Sequence, residues 1–231
     1  MPEIVYEDNH LLIAVKPPNQ LTQGDSTGDL ALLDELKGYV KQKYPKPGEV
    51  YLGLVHRLDR PVGGLVAFAR TSKAASRLSE QLRTHTMHRD YLAVVEQGET
   101  LPDEGTLHDW LQKTDNGVRA ASSGAEGAQE ARLHYRVLER QGHTALLQVT
   151  LETGRKHQIR VQLSHTGHPI VNDMRYGQGV KGESIALWGA GLTLTHPTQK
   201  MTMTFTSLPR GSAFEPYRQV MARWIKQEDE K

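Results

Sequence analysis

The stretch Thr153-Gly154-Arg155-Lys156-His157-Gln158-Ile159-Arg160-Val161-Gln162-Leu163-Ser164-His165-Thr166-Gly167-His168-Pro169 packs two arginines, one lysine and three histidines into 17 residues. Thr153-Gly154 interrupts the apolar alternation of 145–152, and 156–165 then reads as a short helix that Gly167 ends. Ile159 and Leu163 fall on its core side, whereas His157, Arg160 and Ser164 share another face. Upstream, His56-Arg57-Leu58-Asp59-Arg60 sets one carboxylate between two guanidinium groups, and Pro61, Gly63 and Gly64 turn the chain at once. Two arginine-bearing segments can therefore converge on one acid. An ionised carboxylate in a basic pocket is a candidate nucleophile, with an ordinary surface ion pair as the alternative.

Working outward, 4–7 and 11–16 read as a hairpin turned by Asp8-Asn9-His10, and Lys16-Pro17-Pro18 ends its second strand. Residues 29–44 carry Leu32, Leu33, Leu36, Tyr39 and Val40 at helical spacing, with Asp29 as N-cap and Pro45 as stop. A strand at 51–55 delivers the Asp59 segment, and the apolar run 65–69 suits a buried central strand. Thr71 or Ser72 can cap the next helix. Its Ala74, Leu78 and Leu82 form one stripe, and Lys73, Arg77 and Arg83 line a face that is either solvated or a wall for phosphates. Strands follow at 91–95 and 106–111, then an exposed glycine-rich loop to 131. Strands at 132–139, 145–152, 192–195 and 201–205 complete the pattern, and 214–225 reads as a terminal helix before a solvated charged tail at 226–231. The expected fold is α+β, a single domain over 1–231 built on a mixed, mostly antiparallel sheet.

A chain of 231 residues without cysteine excludes disulfides, thiolate chemistry and Cys-ligated metals. No window reaches membrane-spanning length and the N-terminus lacks a signal pattern, which places the protein in the cytoplasm. Net charge is only +1, yet between Leu54 and Asp90 seven Lys or Arg stand against three acids. His157, His165 and His168 lack a metal-ligand spacing, and there is no HExxH, GxSxG or P-loop. A glycosidase would need two placed carboxylates, and only Asp59 has a suggestive setting. One acid, many bases and Tyr91 opening a nearby strand suit a polyanionic substrate and a covalent or proton-transfer step without cofactor.

These residues resemble the RluA family of RNA pseudouridine synthases. His56 to Leu65 resembles the family's His-Arg-Leu-Asp-Arg loop, and Arg89-Asp90-Tyr91-Leu92-Ala93-Val94-Val95 its tyrosine-bearing strand. Thr153 to Asp173, with Tyr176-Gly177, resembles the long Thr-Gly-Arg-x-His-Gln-Ile-Arg-Val block; Ala14-Val15-Lys16-Pro17 and His196-Pro197 are weaker matches. The likeness covers about residues 3–210. Val62-Gly63 departs from it, replacing a common Thr-Ser, and no S4-type RNA-binding domain precedes the core.

The resemblance implies an α+β core with a central RNA-binding cleft and isomerisation of uridine to pseudouridine in ribosomal or transfer RNA. It implies Asp59 as nucleophile at C1′ or C6, Tyr91 stacked on the uracil, Arg160 paired with Asp59, and Arg57 in the space of the flipped base. His56, Arg60, Arg155, His157 and Gln158 would complete the RNA contacts. The expected protein is a monomer that uses no metal or cofactor and binds neither DNA nor membrane. The alternatives are an RNA-binding or RNA-folding module with little catalysis, and a histidine-dependent metal nuclease.

Overall fold

The computed structural model describes residues 1–45 and 47–229. The chain forms two compact units, each assembled from separated stretches. The first takes Met1–His88 and Gly189–Ser207, with the described end of the last helix; the second takes Arg89–Trp188 and Leu208–Gln227. No helix among the described residues is long and apolar enough to cross a membrane.

In the first unit β1 (Glu3–Glu7) and β2 (Leu11–Lys16) form the expected hairpin, and Asp8 Oδ1 accepts from His10 N at 2.8 Å and Leu11 N at 2.7 Å. Helix α1 (Leu32–Lys43) buries Leu32, Leu33, Leu36 and Val40. Its N-cap is Ala31, two residues later than the expected Asp29, whose carboxylate is engaged by Arg60. The two-residue β3 (Gly53–Leu54) lies antiparallel to the end of β4 (Gly63–Ala69), which also pairs with β2. Both β2 and β4 are buried along their whole length, so their sequences run apolar without alternation. Thr71 caps α2 (Ser72–Arg83), its Oγ1 accepting from Ala74 N at 3.1 Å.

Gly64 has φ +126° and its Cα faces the Gly189 backbone, so a Cβ there would fall inside that backbone's van der Waals envelope. Gly64→Ala should destabilise the protein by about 3 kcal/mol, combining left-handed strain with a forced strand separation, as a shifted urea midpoint would show.

The second unit stacks β5 (His88–Glu96), β9 (Thr144–Leu151), β8 (Gln129–Gln141), β6 (Glu104–Thr114) and β7 (Gly117–Ala121) in that order, each antiparallel to the next. Strand β6 is longer than the sequence pattern indicates, and β7 occupies part of the expected loop. Gly117, at φ +149°, closes a two-residue Asp115-Asn116 turn that keeps the chain in the sheet. Helix α3 (Gln158–His165) begins two residues inside the expected span, after the N-cap His157 in the left-handed region (φ 55°). Its Val161 packs with Leu111, Val118 and Ala131, and Tyr176 covers that cluster.

Strand β10 (Leu187–Thr195) begins five residues before the expected strand, because Leu187–Ala190 are buried and extended. It pairs with β11 (Thr202–Thr206). The C-terminal helix divides into a 3₁₀ turn (Ser212–Tyr217) holding Pro216 and α4 (Arg218–Asp229). The expected frayed tail is helical as far as Asp229; Glu230 and Lys231 lie outside the described residues.

Candidate active site

Asp59 sits partly exposed in the loop between β3 and β4, and the loop's main chain is fixed from several directions. The Thr22 hydroxyl donates to Leu58 O at 2.9 Å and accepts from Leu58 N at 3.3 Å. Val62 N donates to Asp59 O at 3.0 Å. Beneath the loop, Lys16 is 0% exposed and its Nζ donates to the carbonyls of Gln20 (2.7 Å), Pro17 (3.0 Å) and Arg60 (3.0 Å). Burial pushes its pKa down to about 7, Asp59 opposes the shift and Arg60 adds to it. Three carbonyls match the three protons of the ammonium form, so the geometry favours the charged state.

His56 is buried, and its Nε2 accepts from Ala67 N at 3.1 Å. A backbone N–H can only donate, so the ring proton belongs on Nδ1. This contact ties the loop to β4. Arg57 is exposed. Arg60 pairs with Asp29 at 2.6 Å and donates from Nε to Asn19 O at 3.2 Å; both charged side chains are solvated, so the pair adds little stability. Val62, where the chain departs from the family pattern, is buried. On α2, Arg77 donates to Pro197 O at 2.6 Å and Arg83 pairs with Glu80, so two of the three basic side chains on that face have protein partners.

In the second unit Tyr91 is buried in β5 opposite Val149. Helix α3 is buried from Gln158 to Leu163, Arg160 included, which corrects the expectation that Arg160 faces away from the core. At 5% exposure its charge is tolerated because Nε and Nη2 both donate to Asp173, 1% exposed, at 2.8 Å each. Burial by itself would raise the Asp173 pKa. The Arg160 hydrogen bonds and charge, with N–H bonds from Arg175 and Tyr176, outweigh it and hold the carboxyl below its usual range.

The guanidinium also lies over the Tyr176 ring, 5.1 Å from its centroid. Tyr176 Oη accepts from Val118 N at 3.1 Å and shares a hydrogen bond of 2.7 Å with His157 Nδ1. Burial pushes the Tyr176 phenol up. Gln158 is buried as a brace: its Oε1 accepts from Thr153 Oγ1 (2.8 Å) and Arg155 N (2.9 Å), and its Nε2 donates to Arg132 O (3.0 Å). Arg155 is exposed and donates from Nε to Glu130 O at 2.8 Å.

Of the residues singled out in the sequence, His56, Arg57, Asp59 and Arg60 thus belong to the first unit, and Tyr91, Arg155, His157, Gln158 and Arg160 to the second. Within the second, His157 and Arg160 meet at Tyr176, while Arg155 and Gln158 share a turn. Lys16, Thr22, Asp173 and Tyr176 were not assigned roles from sequence. Lys16 carried a readable signal, a lone cation ending an otherwise apolar buried strand.

Residues 10–165, a span holding Asp59, Tyr91 and Arg160, match the family model described as RNA pseudouridylate synthase. The chain belongs to this family. Among curated pseudouridine synthases, the ribosomal large subunit pseudouridine synthase C of Yersinia pestis is 33% identical over 210 residues, covering 87% of this chain and 63% of its own length. The ribosomal large subunit pseudouridine synthase D of Xylella fastidiosa is 37% identical over 182 residues, covering 78% and 53%. The chain therefore spans little more than half the length of these relatives. Among solved pseudouridine synthase folds, human RNA pseudouridylate synthase domain containing 4 superposes with TM-score 0.76 at 22% identity, over 97% of this chain and 93% of that one. That likeness establishes the α+β fold.

Proposed function

We propose that this protein isomerises uridine to pseudouridine at one or a few positions in large-subunit ribosomal RNA. The match to the synthase family across 10–165 carries the reading, because it spans the Asp59 loop, the Tyr91 strand and the Arg160 helix together. The names of the relatives support ribosomal over transfer RNA. In the proposed reaction Asp59 attacks the target nucleotide after it is flipped from its stack, since a stacked glycosidic bond is out of reach. The bond from C1′ to N1 breaks, uracil rotates, a bond from C1′ to C5 forms and the bond to Asp59 is released. C5 loses a proton and N1 ends with one, so substrate and product are isomers and no water is consumed.

Tyr91 is proposed to stack on the uracil and assist removal of that proton. Arg160, its fork pre-set by Asp173, is proposed to pair with the acid, and Arg57 to fill the place of the flipped base. His157 and Arg155 are read as RNA contacts. Arg60 is read as a loop support with a secondary contact to RNA. For His56 and Gln158, the buried main-chain contacts favour holding the two loops over touching RNA. On this reading the two units act as one catalytic domain, in a cytoplasmic monomer without cofactor. Mapping pseudouridines in large-subunit ribosomal RNA from cells with and without the gene tests the proposal. At least one site should vanish and return with the wild-type copy; an unchanged map would overturn it.

A further inference from the structure

Arg89, the second residue of β5, has a half-buried side chain, and its Nε is closed to solvent without a hydrogen-bond partner among the described residues. Its sequence neighbour does not neutralise it. Strand alternation turns Asp90 to the opposite face, where Thr150 Oγ1 (2.6 Å) and Gln148 Nε2 (3.3 Å) donate to its carboxylate. Arg89 and Tyr91, two residues apart, project from the same face. The guanidinium lies against the turn that precedes α3, and a Cβ on Gly154 would sit 3.2 and 3.3 Å from its terminal nitrogens. The absence of a side chain at Gly154 leaves that space to the arginine. Arg155 and Lys156, both exposed, follow directly and add positive charge. A buried donor left without an acceptor is costly and uncommon in native proteins, and it needs an explanation. Nε itself is out of a ligand's reach, so it is the fork of the two terminal nitrogens, on a guanidinium without a protein acceptor for its Nε, that suits the paired oxygens of a phosphate.

We propose that Arg89 is a phosphate-binding residue that holds the RNA backbone beside the uridine stacked on Tyr91. This rests on the synthase reading above and adds the chemical group that Arg89 engages, a phosphodiester. Gly154 is part of the site because any side chain there would press on the guanidinium.

Binding of a transcript of large-subunit ribosomal RNA, titrated with salt for wild type, Arg89→Gln and Arg89→Lys, tests the proposal. Arg89→Gln should weaken binding about tenfold at low salt and flatten the slope of log Kd against log salt by about 0.7, one single-strand phosphate contact. Its KM should rise more than its kcat falls. Arg89→Lys, which keeps the charge, should keep the slope. An unchanged slope in Arg89→Gln would overturn the proposal, whatever the yield of pseudouridine. A flattened slope with no pseudouridine formed by the wild-type protein would overturn the catalytic reading and leave the phosphate site standing.

Discussion

Asp59→Asn should lower pseudouridine formation by at least about a thousandfold while RNA affinity stays within a few-fold of wild type. The amide is nearly isosteric with the carboxylate, and the loop is held by contacts that do not involve that side chain: Thr22 to Leu58, Lys16 to the Arg60 carbonyl, Val62 N to the Asp59 carbonyl and Ala67 N to His56. The loop should keep its shape, so the loss would report chemistry. Single-turnover assays at saturating RNA measure the effect, and activity within tenfold of wild type would remove Asp59 from the nucleophile's role.

Asp173→Asn should cost about 3–5 kcal/mol of stability, because it removes the charge of the carboxylate that the buried Arg160 guanidinium grips with two hydrogen bonds. Activity should fall as well, since the pair fixes the direction of the Arg160 fork. Replacing both partners, Arg160→Met with Asp173→Leu, separates the two effects. The double variant should recover most of the stability and none of the activity. The pH dependence has a defined sign. The folded Asp173 pKa lies below its usual 3.8, so its contribution is present above that value and is lost as pH falls through the lower folded one. Acid unfolding of wild type and Asp173→Asn, followed by circular dichroism, should therefore converge only below about pH 4. Parallel curves through that range would show that the pair does not govern acid stability.

Much of this was legible in the chain. The β1–β2 hairpin, the buried run of β4 and the Thr71 cap follow from local chemistry that no distant residue opposes. Where the reading slipped, a long-range partner decided. Asp29 could have capped α1 but is engaged by Arg60, 31 residues away. Helical spacing puts Arg160 on a face apart from Ile159 and Leu163, and it cannot reveal Asp173, 13 residues on, as the counterion that lets the arginine be buried. The β7 strand hid in a glycine-rich stretch because Gly117 makes a turn that sequence alone reads as a loop. The acid, the tyrosine and the arginine were recognisable as residue types in fixed surroundings. The groups that hold them, Lys16, Thr22 and Tyr176, act through single contacts that leave no periodic trace.

The ammonium beneath the Asp59 loop bears on how such an enzyme can diversify. Lys16 binds the loop through main-chain oxygens, and every residue type supplies the same oxygen. Exchanges at the exposed positions Arg57 and Arg60 leave those main-chain oxygens, and so that attachment, in place. Lys16 itself has no substitute with three donors on so slender a stem. The exposed side chains of this short loop and the seating of its acid are thus separately heritable properties.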